Sequence, residues 1–162
     1  MTNSLNKHAS KHSQAVVPWM ASEEVDTIEA MLRPHWHVLE YGSGGSTVWF
    51  ARRVKRVTSI EHDRGWVRRA ASLPANVDLR LVPPQWKLQR RFGPAEPGQF
   101  ASYVAAADDI APQFVLIDGR ARVACAQRWA GKAIVVLHDS NRPRYRSLSL
   151  QTLRGSLALV RA

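Results

Sequence analysis

Two unbroken apolar runs constrain this chain more than any other feature: Phe114-Val115-Leu116-Ile117 and Ala133-Ile134-Val135-Val136-Leu137. Each gives way at once to a polar group, Asp118 after the first and His138 after the second. Strands that lack polar alternation are covered on both faces, as in parallel sheets flanked by helices. Further strands are predicted at His37–Tyr41, Val57–Glu61, Val77–Val82 and Leu157–Val160. Between them lie helical stretches, predicted from Ser22 until Pro34 ends the helix, and over 46–53, 63–73, 100–109, 120–129 and 144–154. Ser22 is expected as the first cap, with Glu23 and Glu24 at the positive helix start and Val25, Ile28, Met31 and Leu32 as the apolar stripe. Strands alternating with helices imply an α/β sandwich of three layers around a mostly parallel sheet. Right-handed crossovers then bring the C-terminal strand ends to one edge, where ligands bind.

With 162 residues, 45% of them hydrophobic, the chain suits one domain with one sizeable core. No stretch approaches the roughly 20 apolar residues of a membrane span, and the N-terminus has no apolar signal-like run. A cytoplasmic protein is expected. The first 17 residues read as a disordered basic tail, with Lys7, His8, Lys11 and His12 and no acid before Glu23. Residues 18–162 form the domain. The single Cys125 excludes a disulfide framework and reads as a buried, inert thiol. A net charge of +10 favours an acidic partner, such as RNA, an anionic sugar or a phosphate-bearing substrate. Yet Arg and Lys are spread over nearly every segment, so a nucleic acid is the weaker reading.

The residues after each strand carry the chemistry. Glu40-Tyr41-Gly42-Ser43-Gly44-Gly45-Ser46-Thr47 joins a strand to a helix through a glycine-rich turn that lets the backbone approach a ligand. In a dinucleotide fingerprint the sixth position is Gly or Ala, whereas here it is Thr47. A carboxylate beside the loop also disfavours a pyrophosphate and favours a cationic ligand. Glu61 follows the second strand, where a carboxylate can hold a ribose diol. His62 and Asp63 are candidate walls of an adenosine pocket.

Asp118 ends the fourth strand and can hold a ligand amino group or face an acceptor, with helix capping as the plain alternative. His138 is the candidate general base, because a neutral imidazole takes a proton near pH 7. Asp139 is a candidate orienting group. Asp118, Asp139 and Asn141 also offer oxygen ligands to a magnesium-like ion, but hydrogen bonds serve two carboxylates on neighbouring strand ends equally well. No metal is expected. The irregular stretch 83–99 holds the basic cluster Lys87, Arg90 and Arg91, read as a solvated loop with an anion grip as the alternative. Trp19 and Met20 are either a lid or core packing.

Taken together, Leu39-Glu40-Tyr41-Gly42-Ser43-Gly44-Gly45-Ser46-Thr47, Ser59-Ile60-Glu61-His62-Asp63, Ile117-Asp118-Gly119-Arg120-Ala121-Arg122, Leu137-His138-Asp139 and Arg142-Pro143-Arg144-Tyr145 resemble the class I S-adenosylmethionine (SAM)-dependent methyltransferases. The resemblance spans about residues 18–153 and is nearest to a bacterial branch of largely unassigned substrate. A fainter likeness, to plant enzymes that methylate glucuronic acid side chains of xylan, hints at carbohydrate hydroxyls. The likeness implies a Rossmann-like fold and SAM as cofactor. By it, Glu40, Gly42, Ser43, Gly44, Ser46 and Thr47 would shape the methionine end, Glu61 and His62 would meet the ribose and adenosine, and Asp118 would sit near the methyl.

Two departures from the family pattern stand out. Val82 is followed by Pro83-Pro84-Gln85-Trp86, so Gln85 or Trp86 would have to read the adenine. The closing hairpin is read as shortened to one strand ending near Ala162, which leaves an exposed edge or a homodimer interface. The expected activity is methyl transfer to an oxygen of a small-molecule or carbohydrate acceptor, with His138 as base and Asp118 or Asp139 orienting it. The alternatives are a degenerate, non-catalytic SAM- or nucleotide-binding protein and an RNA methyltransferase.

Overall fold

A computed structural model describes residues 17–69, 73–85 and 98–162 of the chain. Its seven strands are β1 (His37–Tyr41), β2 (Arg56–Glu61), β3 (Val77–Leu81), β4 (Phe114–Ile117), β5 (Ile134–Leu137), β6 (Leu150–Arg154) and β7 (Leu157–Val160). The helices are α1 (Ser22–Met31), α2 (Gly45–Ala51), α3 (Arg64–Arg69), α4 (Ala101–Ala105) and α5 (Arg122–Trp129). The strands join in one sheet, ordered β3-β2-β1-β4-β5-β7-β6. The pairs from β3 to β5 are parallel, and β5–β7 and β6–β7 are antiparallel. This is the expected Rossmann-like three-layer arrangement.

The apolar strands build both faces because successive side chains point in opposite directions. Leu39, Tyr41, Val115, Ile117, Val135 and Leu137 pack with Tyr103 of α4 and with Cys125 and Trp129 of α5. Val38, Val57, Phe114, Leu116 and Val136 pack on the other side, with Ile28 and Leu32 from the α1 segment and Trp49 and Phe50 of α2. The first face also buries polar atoms in pairs: Trp129 Nε1 donates to Tyr41 Oη (3.0 Å), which donates to the Val104 carbonyl (2.8 Å). Cys125 lies fully inside this face, and burial pushes its thiol well up from the usual range.

The C-terminal end differs from the sequence reading. The stretch 144–154, expected as a helix, instead holds a single 3-10 turn at Pro143–Tyr145 and then β6. Gly155, at φ 53°, opens a two-residue turn with Ser156, after which β7 returns along β6 and inserts beside β5. The hairpin is therefore complete, not shortened. β7 is paired on both sides, so the open edge at this end of the sheet belongs to β6.

Smaller differences lie at helix starts. Ala21, not Ser22, is the first cap of α1, and its N–H donates to the Glu24 side chain (3.1 Å). The helix expected over 100–109 is regular only at Ala101–Ala105. Among the described residues no helix is long and apolar enough to cross a membrane. Residues 1–16 of the expected tail, Trp86, and the basic cluster Lys87, Arg90 and Arg91 lie outside the described residues.

Candidate active site

The C-terminal ends of β1, β2 and β4 open onto a cleft of about 1920 Å³. That exceeds the roughly 300–1,000 Å³ of a pocket for one small ligand, so two molecules can meet in it. Its floor is two crossing turns. Gly42, at φ 98°, leaves β1 directly under Gly119, and a Cβ on Gly42 would lie 2.8 Å from the Gly119 Cα. A Cβ on Gly119 would in turn meet the Tyr103 hydroxyl. Neither turn can carry a side chain without parting the strand ends.

Glu40 lies beneath the loop, fully buried, on the α2 side of the sheet. The β1–β2 register sets Ser59 next to it, and α2 begins just above. Ser59 Oγ donates to it at 2.8 Å, Thr47 Oγ1 at 2.6 Å, and Ser46 Oγ completes the set. Burial pushes the carboxyl up to about 7 against these three hydroxyls. Glu40 and Thr47 do not line the cleft; they hold the loop from behind.

Glu61 ties the loop to the end of β2. Its Oε2 accepts from Ser43 N (2.9 Å), and its Oε1 accepts from the N–H groups of His62 (2.7 Å) and Asp63 (2.8 Å). Burial would raise this carboxyl, but the nearby His62 ring and the three N–H groups hold it below its usual range. A carboxylate oxygen accepts about two hydrogen bonds, so Oε2 keeps one position free on the cleft side. His62 lines the cleft edge-on to Phe100 and Tyr103, and Arg120 Nε approaches its Nε2 (3.4 Å). Asp63 accepts from Gly65 N (2.6 Å) at the start of α3. Gln85 turns to Ser102 Oγ (2.7 Å) and does not line the cleft. Trp19, 81% exposed, meets Trp66 edge-on with ring centroids 5.7 Å apart, and both line the cleft.

On the other wall stands Asp118. Its Oδ1 accepts from Arg122 NH2 (2.9 Å) and lies 2.9 Å from His138 Nδ1. Its Oδ2 has no partner among the described residues. His138 is only 9% exposed and does not line the cleft. Its Nε2 faces a second carboxylate, Glu24 of α1, at 3.5 Å. Burial would lower His138, but the hydrogen bond to Asp118 and the charges of Asp118, Asp139 and Glu24 outweigh it and hold the imidazole above its usual range.

Sequence reasoning assigned Glu24 only to the helix start. It is buried, accepting from Ser156 N (2.6 Å) and Ser156 Oγ (2.8 Å) at the hairpin turn and from Ala21 N. The signal was its place in the apolar stripe, four residues before Ile28 and eight before Leu32.

Asp139, at φ 55°, also lies off the cleft, between Arg122 NH1 (3.3 Å) and Arg142 NH2 (2.5 Å). Asp118, His138 and Asp139 offer ligand atoms within 4.8 Å of one another. Arg122, the other residue the sequence reading gave no role, bridges the two acids, so a guanidinium already supplies the positive charge an ion would bring. The cleft thus gathers Gly42, Ser43, Gly44, Ser46, Glu61, His62 and Asp118, and leaves Glu40, Thr47, His138 and Asp139 behind its walls.

No protein-family profile matches the chain, and no curated protein does. Among solved structures, a methyltransferase-like protein from Silicibacter pomeroyi DSS-3 is 28% identical, with 90% of this chain and 88% of that one covered at a TM-score of 0.66. Precorrin 8W decarboxylase of Methanobacterium thermoautotrophicum is 14% identical, with 89% and 91% covered and a TM-score of 0.56. A third structure, cmcI-N160 with SAH, is 18% identical, with 88% and 77% covered and a TM-score of 0.53. The chain has the Rossmann-like fold that class I methyltransferases share.

Proposed function

We propose that this chain is a SAM-dependent methyltransferase acting on an oxygen of a small-molecule or carbohydrate acceptor. The observation that carries the reading is the cleft itself, with Glu61 and the Glu40-braced glycine loop on one side and Asp118, with a free oxygen, on the other. The donor set suits a cofactor that is cationic and carries a ribose. Glu61 Oε2 would take a ribose hydroxyl and set a negative potential at the cleft, Glu40 would brace the loop from behind, and His62 and Phe100 would wall the adenosine. A phosphate-rich cofactor would meet the Glu61 carboxylate as repulsion.

When bound, SAM supplies an electrophilic methyl: the acceptor oxygen forms the new bond to carbon as the carbon–sulfur electrons pass to sulfur. Asp118 Oδ2 orients the acceptor hydroxyl and takes its proton. His138 acts through Asp118, sharing that proton from behind with Glu24 fixing its ring. This assigns His138 to the second position in the chain rather than to direct contact, because its ring does not reach the cleft. Asp139 holds Arg122 in place. The non-catalytic alternative rested on a shortened C-terminus, and the complete hairpin removes that ground.

The test pairs SAH calorimetry with methyl transfer from labelled SAM to a panel of hydroxyl compounds. Asp118→Asn and His138→Ala should lose turnover while binding SAH as the parent does. Loss of SAH affinity in His138→Ala would sink the role given to it.

A further inference from the structure

The cleft is sorted by charge. On the wall formed by the turn after β4, α5 and the 3-10 turn Pro143–Tyr145, each carboxylate is already matched by an arginine. Arg122 bridges Asp118 and Asp139, Arg142 reaches Asp139 (2.5 Å), and Arg128 pairs with Asp108. Among the described residues, two cleft-lining arginines of this wall are left over, and a third, Arg64, lines the opposite side without an ion-pair partner. Arg120 approaches only the His62 ring, and Arg144 has no carboxylate partner among the described residues.

Arg144 is also pre-set. Pro143 begins the turn that carries it, and its guanidinium lies 5.2 Å from the centroid of the Tyr145 ring, itself buried and part of the cleft lining. A stacked guanidinium keeps its fork of donors free at small entropic cost. The opposite side of the cleft carries the carboxylate of Glu61.

We propose that Arg144 and Arg120 form an acceptor subsite for an anionic small molecule, one bearing a carboxylate or phosphate close to the hydroxyl that is methylated. The proposal rests on the methyltransferase reading above. A cationic methyl donor is repelled by this wall and attracted to the other, whereas an anionic acceptor is drawn to the unpaired guanidiniums and so toward Asp118. A carboxylate or phosphate matches the guanidinium fork in a bidentate way. Arg120 and Arg144, both exposed and both lining the cleft, offer two cations to one anionic group. RNA, by contrast, needs a row of phosphate contacts, and the remaining arginines of the chain are scattered over its elements.

The experiment uses the full chain loaded with SAH and titrated with inorganic phosphate by calorimetry. Phosphate should bind, and Arg144→Gln, an exposed substitution that leaves the core untouched, should weaken it about tenfold or more, with Arg120→Gln adding to the loss. SAH affinity should be the same in Arg144→Gln as in the parent. In methyl transfer, a hydroxy acid should outrun its neutral amide by about tenfold, and Arg144→Gln should erase that preference.

Phosphate that binds Arg144→Gln as well as the parent overturns the proposal, and so does phosphate that competes with SAH. A short single-stranded RNA that binds with steep salt dependence, while phosphate does not bind, would overturn it in favour of a nucleic-acid acceptor. No phosphate binding in a chain that does bind SAH overturns the subsite alone. Failure to bind SAH overturns the methyltransferase reading, and the acceptor role with it.

Discussion

Glu40 makes the most exacting forecast, because a carboxylate sealed behind a ligand loop must leave its mark on stability. Burial lifts its folded pKa from 4.5 to about 7, so between those values the folded chain holds a proton that the unfolded chain has released. Stability therefore falls as pH rises through that window and levels off above it. That rise corresponds to about 3 kcal/mol. For a domain of this size that is roughly 6–12 °C in Tm.

Glu40→Gln keeps the shape and removes the titration. Denaturant unfolding of parent and variant from pH 4 to 8 gives the difference curve. It should be flat below pH 4.5, change by about 3 kcal/mol in the variant's favour as pH approaches 7, and flatten again. His138, also raised, loses its stabilising contribution as pH climbs above its ordinary value, but it does so in both proteins and cancels. Glu24 and Glu61, both lowered, act only on the acid side of the window, with the opposite sign. A difference curve that varies by less than about 0.5 kcal/mol across it would refute the buried, protonatable Glu40.

Three further outcomes follow from the same contacts. Glu24→Gln removes one of the anions that raise His138, so the acid limb of the pH–rate profile for methyl transfer should move to lower pH; an unmoved limb would contradict the Glu24–His138–Asp118 chain. Gly119→Ala forces a methyl into the Tyr103 hydroxyl and the Gly42 backbone, and should cost about 1–3 kcal/mol of unfolding free energy together with SAH affinity. Cys125, buried and with its thiol pushed up, should resist alkylation in the native chain and react only in denaturant, as a timed thiol titration would read.

Strands β4 and β5 were readable because an apolar run buried on both faces has few other ways to fold. The glycine turn, Glu61 and Asp118 were readable for a related reason: each directly follows a strand, and parallel topology gathers strand ends on one edge. The hairpin was missed because Leu148, Leu150 and Leu153 mimic a helical stripe, while the decisive signal was the short Gly155-Ser156 turn. Glu24 and Arg122 took their roles only through tertiary closure. Glu24 meets Ser156 across 132 positions of sequence, and no local pattern announces such a partner. His138 was placed correctly at the end of β5, yet the direction of its ring, inward between two carboxylates, depends on where α1 docks.

The central claim, that the cleft holds a cationic adenosyl cofactor and not a dinucleotide, is tested most directly by calorimetric titration of the purified chain with SAM, SAH and NAD. SAM and SAH should bind one molecule per chain and lose about tenfold or more in affinity on Glu61→Ala, since a hydrogen bond to a charged group is removed. NAD should give no heat of binding. Saturable NAD binding, or SAM and SAH affinities untouched by Glu61→Ala, would contradict it.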